Sequence, residues 1–147
     1  MTSLHATERE LAFLLVDAGR KLNDAHDLHM KPLGLSRAKW RVVAYVSRTP
    51  GISQTELAAS IECSRMAITS LLGRMEKQEL IERRAAPGDR RVRAVFLTKT
   101  GKSLVRKLNQ IAADVLNDVF AGTSSSDRAH LKLLLTMVKN NAANART

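Results

Sequence analysis

The stretch from Ser53 to Arg93 limits the fold more than any other part of the chain. Ser53 is followed three residues on by Glu56, the capping box that opens a helix, and Leu57, Ala58 and Ile61 supply its inner face. Glu62-Cys63-Ser64 is a short break. A second helical run follows, Arg65 to Glu79, in which Ile68, Leu71, Leu72 and Met75 fall on one side. The pattern then changes. Leu80 to Arg84 and Val92 to Leu97 read as short strands, the second with the alternating period of a strand. Between them Ala85 to Arg91 forms a loop, with Pro87-Gly88-Asp89 as the turn signal.

Opposite the apolar side of the second helix, a rotation of about 100° per residue collects Met66, Ser70, Gly73 and Lys77, flanked by Ala67, Thr69 and Arg74. This face is small and uncharged near its start and basic near its end. Small residues allow close approach to base edges, and Ala or Thr methyls can touch the thymine methyl. A helix packed on another protein shows small outward residues too. The basic hairpin that follows decides for nucleic acid. Arg90 and Arg91 stand at or near its tip, and Asp89 is placed to brace the loop and one arginine. Helix, turn, helix and basic hairpin is the layout of a winged helix, with one helix for the major groove and an arm for the backbone or minor groove.

Charge supports this reading. The chain has 24 Lys/Arg against 14 Asp/Glu, a formal net charge of +10. Residues 35–101 hold 13 and 6 of these, net +7, whereas residues 1–34 hold 4 and 5, net −1. A basic excess centred on one module attracts polyanions. A solvated surface with surplus lysine is the plainer alternative. The hairpin's charges are arginines, whose forked guanidinium suits phosphates and bases. No apolar run approaches the roughly 20 residues that span a bilayer. Met1 to Glu8 has no basic-then-apolar leader pattern. The single cysteine, Cys63, suits a reducing compartment. A cytoplasmic, membrane-free protein is expected.

The flanks read as helices with apolar stripes. Glu8 to Lys31 carries Leu11, Leu14, Leu15, Ala18, Leu22 and Ala25 at helical spacing, with Thr7 as its cap and Glu8 and Glu10 in its first turn. Pro32 and Gly34 stop it. Ser36 caps a helix to about Arg48, with Trp40, Val43, Ala44 and Val46 inward. After Thr98-Lys99-Thr100-Gly101 a helix runs to about Phe120 on Leu104, Leu108, Ile111, Val115 and Val119. Ser125 or Ser126 caps a last helix lined by Leu131, Leu134, Leu135 and Val138, and Asn140 to Thr147 frays. The expected class is mainly α with a small β-wing. Residues 1–34 form an N-terminal dimerisation helix, 35–101 the winged helix-turn-helix, and 102–147 the C-terminal dimerisation helices.

The chain resembles the multiple antibiotic resistance regulator (MarR) family, most closely its SlyA-like branch. The resemblance is carried by Leu33 to Val42, Pro50 to Ala58, Arg74 to Arg83, and Gly88-Asp89-Arg90-Arg91 running to Leu97-Thr98-Lys99-Thr100-Gly101. The last is the most specific. It implies a homodimer bound to a pseudo-palindromic operator in double-stranded DNA, usually as a repressor. It implies that Ser64, Arg65, Met66, Ala67, Thr69, Ser70 and Arg74 approach bases and phosphates. Asp89 and Arg91 match the wing's acid–arginine pair, with Arg90 and Arg93 beside them, and Ser36 and Arg37 begin a helix whose N-terminus meets phosphate. Ser70 stands where relatives often carry a larger polar residue, and Ala85-Ala86-Pro87-Gly88 replaces a common Asp-Pro pair. The resemblance also implies release from DNA by a small aromatic acid or a coenzyme A thioester.

An effector pocket on that pattern would draw on His26, His29, Met30, Trp40, Arg41 and Tyr45, with Arg41 pairing an anion. On residue types alone, a core tryptophan, a solvated arginine and surface histidines are the preferred reading. His26 and His29 lack further ligands for a metal, and no cofactor is expected. Cys63 precedes the recognition helix, where oxidation would disturb DNA contact; a small turn residue is the better reading. The sequence has no Gly-rich phosphate loop, no Gly-x-Ser-x-Gly and no paired carboxylates on a plausible cleft, so no enzyme is expected. The competing class is a helical protein-interaction dimer in which Arg90 and Arg91 are dispensable.

Overall fold

The computed structural model describes residues 2–145, with side chains from residue 6 onward. The chain divides into two compact units, Met1–Val115 and Leu116–Thr147. In chain order the elements are α1 (Thr2–Met30), a 3-10 turn (Lys31–Leu33), α2 (Arg37–Arg48), β1 (Ile52–Ser53), α3 (Gln54–Ser60), α4 (Arg65–Lys77), β2 (Ile81–Ala86), β3 (Asp89–Leu97), α5 (Lys99–Val119) and α6 (Ser125–Asn144). The fold is mainly helical with one small antiparallel sheet, the winged-helix class expected.

The core of the first unit is aliphatic. Val42, Val43 and Val46 of α2, Leu57 and Ala58 of α3, and Ile68, Leu71, Leu72 and Met75 of α4 are buried, with Ile81 and Val95 from the sheet and Leu108 from α5. The inner faces of α3 and α4 are the ones their spacing predicts. On α2 the expectation is corrected: Val42 is fully buried, while Trp40 and Ala44 are only partly so. Burying side chains of this kind stabilises by about 1.5–3 kcal/mol each. Ser36, Ser53 and Ser64 cap α2, α3 and α4 through their hydroxyls, and Ser53 with Glu56 completes the capping box. Glu62 and Glu79 take left-handed conformations just past α3 and α4, positions where glycine is commoner.

The hairpin is longer and tighter than its composition suggests. Ala85 and Ala86 belong to β2, and Asp89, Arg90 and Arg91 to β3, leaving Pro87-Gly88 as the turn. Gly88 has φ +86°, which a proline–glycine turn requires at its second position. A bulge between Ala85 and Ala86 absorbs the register. The third strand, β1, has no counterpart in the sequence reading. Ile52 pairs Val95 and Ser53 pairs Ala94, so β3 lies central in the order β1-β3-β2. Ala94 and Val95 are both buried, which breaks the strand's alternation at its middle.

Helix starts bring two further corrections. The first helix begins at Thr2, so Thr7 lies inside it and Glu8 and Glu10 are not in its first turn. In the second unit Ser124, not Ser125 or Ser126, caps α6, with Asp127 closing a capping box. That helix continues to Asn144 rather than fraying from Asn140; Arg146 and Thr147 lie outside the described residues. Within it Leu131, Leu134, Leu135 and Val138 are all exposed. Among the described residues no helix is long and apolar enough to cross a membrane.

Candidate nucleic-acid interface

Helix α4 turns Ile68, Leu71, Leu72 and Met75 into the core and leaves Arg65, Met66, Ala67, Thr69, Ser70 and Arg74 exposed. Met66 is 82% exposed, a large apolar side chain left in solvent at the start of the helix. Gly73 is half-buried, and a Cβ there would come no closer than 4.0 Å to Arg83. Arg74 donates to the Ser70 hydroxyl at 2.8 Å, which holds the guanidinium along the helix. A cleft of about 380 Å³ runs between the start of α4 and the wing, lined by Ser53, Gln54, Arg65, Thr69, Arg91 and Arg93 among others. Three arginines around one cleft make it strongly electropositive.

The wing carries its arginines outward. Asp89 accepts from the Arg91 backbone N–H at 3.0 Å and from its Nε at 3.3 Å, so the carboxylate braces the loop and one arginine, as its position in the sequence suggests. The Arg91 side chain is 93% exposed, leaving most of its guanidinium for an outside partner. Arg90 and Arg93 are exposed beside it.

Sequence reading missed what ties wing to helix. Glu76 of α4 accepts from the Arg83 backbone N–H at 3.0 Å and from its guanidinium at 2.7 Å. The hydrogen bond from Arg83 holds the Glu76 carboxyl below its usual range against the opposing effect of burial, and Glu76 raises Arg83 in turn. Gln54 of α3 bridges the same group: its Oε1 accepts from Arg83 at 3.4 Å and its Nε2 donates to Thr69 Oγ1 at 2.7 Å. A glutamate on α4 seven residues before an arginine on β2 is a faint signal, since no periodicity links a helix to the next strand.

The two residues expected to meet phosphate at the start of α2 also make bonds within the protein. Ser36 spends its hydroxyl on the Lys39 N–H. Arg37 donates to Asp24 at 2.6 Å and to Asp27 at 2.7 Å. Trp40 Nε1 donates to the other Asp27 oxygen at 2.8 Å. Partial burial works to raise the Asp27 carboxyl, but bonds from Arg37 and Trp40 outweigh it and hold the group low. Arg37 thus fastens α2 to α1. Cys63 is half-buried against the core, as a turn residue.

The expected effector residues divide. His26, Met30 and Trp40 line a cavity of about 180 Å³ with Val43, Arg48, Val105, Leu108 and Asn109. The His26 ring stacks near Trp40 at 5.3 Å. Its Nδ1 lies 2.9 Å from the Leu22 carbonyl, which can only accept, so that nitrogen carries a proton. The other three do not line this cavity. His29 is exposed and bonded to the Ala25 carbonyl, and Tyr45 packs against the core. Arg41 turns away to donate to the Ser60 and Ile61 carbonyls at 2.9 and 3.3 Å, capping the end of α3. The cavity's cation is Arg48, which sequence reading did not select. A larger hollow of about 430 Å³, bounded by Pro50, Arg84, Phe96 and Lys102, gathers none of the expected residues. Among the described residues no cluster of His, Cys, Asp and Glu is arranged to hold a metal.

A sequence profile of the MarR family matches residues 33–92, from the 3-10 turn through the wing. Among solved structures, the transcriptional regulator PA3341 is 32% identical, over 91% of this chain and 98% of its own, with a TM-score of 0.82. The transcriptional regulator SlyA is 20% identical, over 92% and 95%, with a TM-score of 0.76. A mutant MarR from E. coli complexed with operator DNA is 23% identical, over 88% and 93%, with a TM-score of 0.71. At these last two identities the likeness is one of fold.

Proposed function

The chain belongs to the MarR family of transcriptional regulators, and from that premise we propose that it binds a pseudo-palindromic operator as a homodimer and represses transcription. The observation that carries the reading is the arginine-lined cleft between α4 and the wing, beside an outward face of small side chains. One helix per subunit enters the major groove. Arg65, Arg90, Arg91 and Arg93 neutralise phosphates at the flanks or reach into the minor groove, and the few base contacts select sequence. The E. coli relative complexed with operator DNA supports the same use of the fold. The terminal helices pair the subunits, in keeping with the apolar side chains that α1 and α6 each expose.

The cavity under Trp40 suits a small aromatic acid: an apolar floor, a stacked imidazole and one arginine, Arg48, for a carboxylate. At about 180 Å³ it fits such an acid better than a whole coenzyme A thioester. A ligand that prefers a different separation of the two recognition helices weakens operator binding by its differential affinity for that state.

The test is a gel shift on the DNA just upstream of the protein's own gene, at two salt concentrations. Binding that weakens several-fold or more between 50 and 200 mM salt, and is relieved by salicylate, is expected. Absence of any sequence-preferring complex would point instead to a protein-interaction dimer.

A further inference from the structure

The hydroxyl of Thr69 is committed within the protein, and the chain of bonds that commits it can be followed atom by atom. Arg83 can only donate, so the Gln54 atom facing it at 3.4 Å is the amide oxygen. The Gln54 amide nitrogen therefore faces Thr69 Oγ1, at 2.7 Å, and donates to it. A hydroxyl that accepts from an amide sends its one proton elsewhere. Thr69 Oγ1 lies 2.8 Å from the Arg65 carbonyl, which takes that proton. The guanidinium of Arg83 is itself held by Glu76 at 2.7 Å. Three side chains, Gln54 of α3, Glu76 of α4 and Arg83 of β2, together with the Arg65 backbone carbonyl, thus fix the Thr69 rotamer and leave it no proton for a base acceptor. What an exposed threonine in this state still offers thymine is its methyl group, because the thymine edge in the major groove shows an O4 acceptor and the C5 methyl but no donor for the remaining oxygen lone pair. One turn earlier on the same outward face stands Met66, 82% exposed and apolar.

We propose that Thr69 is a specificity residue that selects thymine in the major groove through its methyl group, with Gln54 and Arg83 as the positioning residues that keep its hydroxyl proton from the base. This rests on the DNA-binding reading above and deepens it: the outward face of the recognition helix reads the thymine C5 methyl by apolar contact rather than by a hydrogen bond from Thr69. Burial of one methyl group corresponds to about fourfold in affinity.

The experiment uses the full-length protein and a duplex of about 30 base pairs selected from a random library. Each thymine in turn is replaced by deoxyuridine, which removes only the methyl. The reading is the ratio of affinities for the thymine and deoxyuridine duplexes. A ratio of about four is expected at one thymine of each half-site. It persists in Thr69→Val, which keeps a methyl and loses the hydroxyl, and falls to near one in Thr69→Ser, which does the reverse. Three results overturn the proposal: no thymine showing a ratio above one, both variants keeping the wild-type ratio, or Thr69→Ser keeping it while Thr69→Val loses it. The last would give the readout to the hydroxyl. Recovery of no duplex over the input library would remove the DNA-binding reading itself, a distinguishable failure.

Discussion

Gly101 stands in the first turn of α5 at a point where no side chain fits. A Cβ there would lie 2.1 Å from the Leu80 carbonyl oxygen and 3.2 Å from the Leu97 side chain. That carbonyl cannot yield, because it accepts from the Thr98 N–H at 3.1 Å at the seam between the hairpin and α5. Gly101→Ala improves intrinsic helix propensity by roughly 1 kcal/mol, yet overpacking costs about 1–3 kcal/mol and backbone resists displacement more than a side chain does. A net loss of stability is expected in urea melts; an unchanged or raised midpoint would show that the seam is soft. The Leu-Thr-x-x-Gly pattern was legible in the sequence as a family signature, but its cause was not, since no local rule brings Leu80 against residue 101. Arg91 is the opposite case. Its position beside Asp89 was readable, because an aspartate two residues away can brace a turn, and its near-complete exposure is what such a role needs. Arg91→Ala is expected to lower operator affinity by about 1–3 kcal/mol, and unchanged affinity in a titration would remove the wing from the interface.

Elements here are held by a few side chains that cross between them. Helix faces were legible because buried positions recur with the helical period, as in Ile68, Leu71, Leu72 and Met75. The braces were not, because Glu76 with Arg83, and Arg41 with the end of α3, join elements no single period spans. The Glu76–Arg83 pair fixes the wing against the recognition helix. Glu76's folded pKa is depressed below its ordinary 4.5, first by the Arg83 hydrogen bond. A depressed carboxyl contributes stability that is present above the unfolded value and lost as pH falls through the folded one. Urea midpoints taken from pH 6 to pH 3 should therefore fall less steeply in Glu76→Gln than in wild type. Parallel curves would mean that the pair does not couple to folding. Arg41 spans the other gap, between the helix that lines the Trp40 cavity and the turn that launches α4. Arg41→Ala leaves two carbonyls at the end of α3 without their donor, which corresponds to about 1–3 kcal/mol. Because the turn beyond those carbonyls positions the recognition helix, the variant should lose discrimination between selected and random duplexes more than it loses non-specific binding. Equal losses on both would reduce Arg41 to a stabilising contact.

At the scale of the whole chain, the winged helix shares its core with Met30 of α1 and Leu108 of α5, whereas α1 and α6 also carry apolar side chains that stay in solvent. Helix α1 leaves Leu11, Phe13, Leu14, Leu15 and Val16 exposed, with Phe13 at 72%. Helix α6 buries no residue at all, and Leu133, Leu134 and Met137 are among those left in solvent. Apolar rows of this size on a chain of net charge +10 are not what a stable monomer presents to water. The apolar stripes of these helices were readable in the sequence, and pairing with a second chain was the expectation placed on them, although a stripe has the same period whether its partner is this chain or another. A second copy is the occupant that the proposed operator of two half-sites calls for. Wild type is therefore expected to sediment as a dimer at micromolar concentration. Leu14→Glu combined with Leu134→Glu places charge on each row and should give a monomer. Far-ultraviolet circular dichroism should remain strongly helical, because neither residue belongs to the buried core. Operator affinity should fall by two orders of magnitude or more, since the second half-site then no longer benefits from the effective concentration that a joined pair provides. Binding to one half-site with a reduced salt slope would remain, reporting the phosphates still met by a single wing and helix. A wild-type protein that sediments as a monomer, or a double variant that still binds the full operator as a dimer, would separate these rows from subunit pairing.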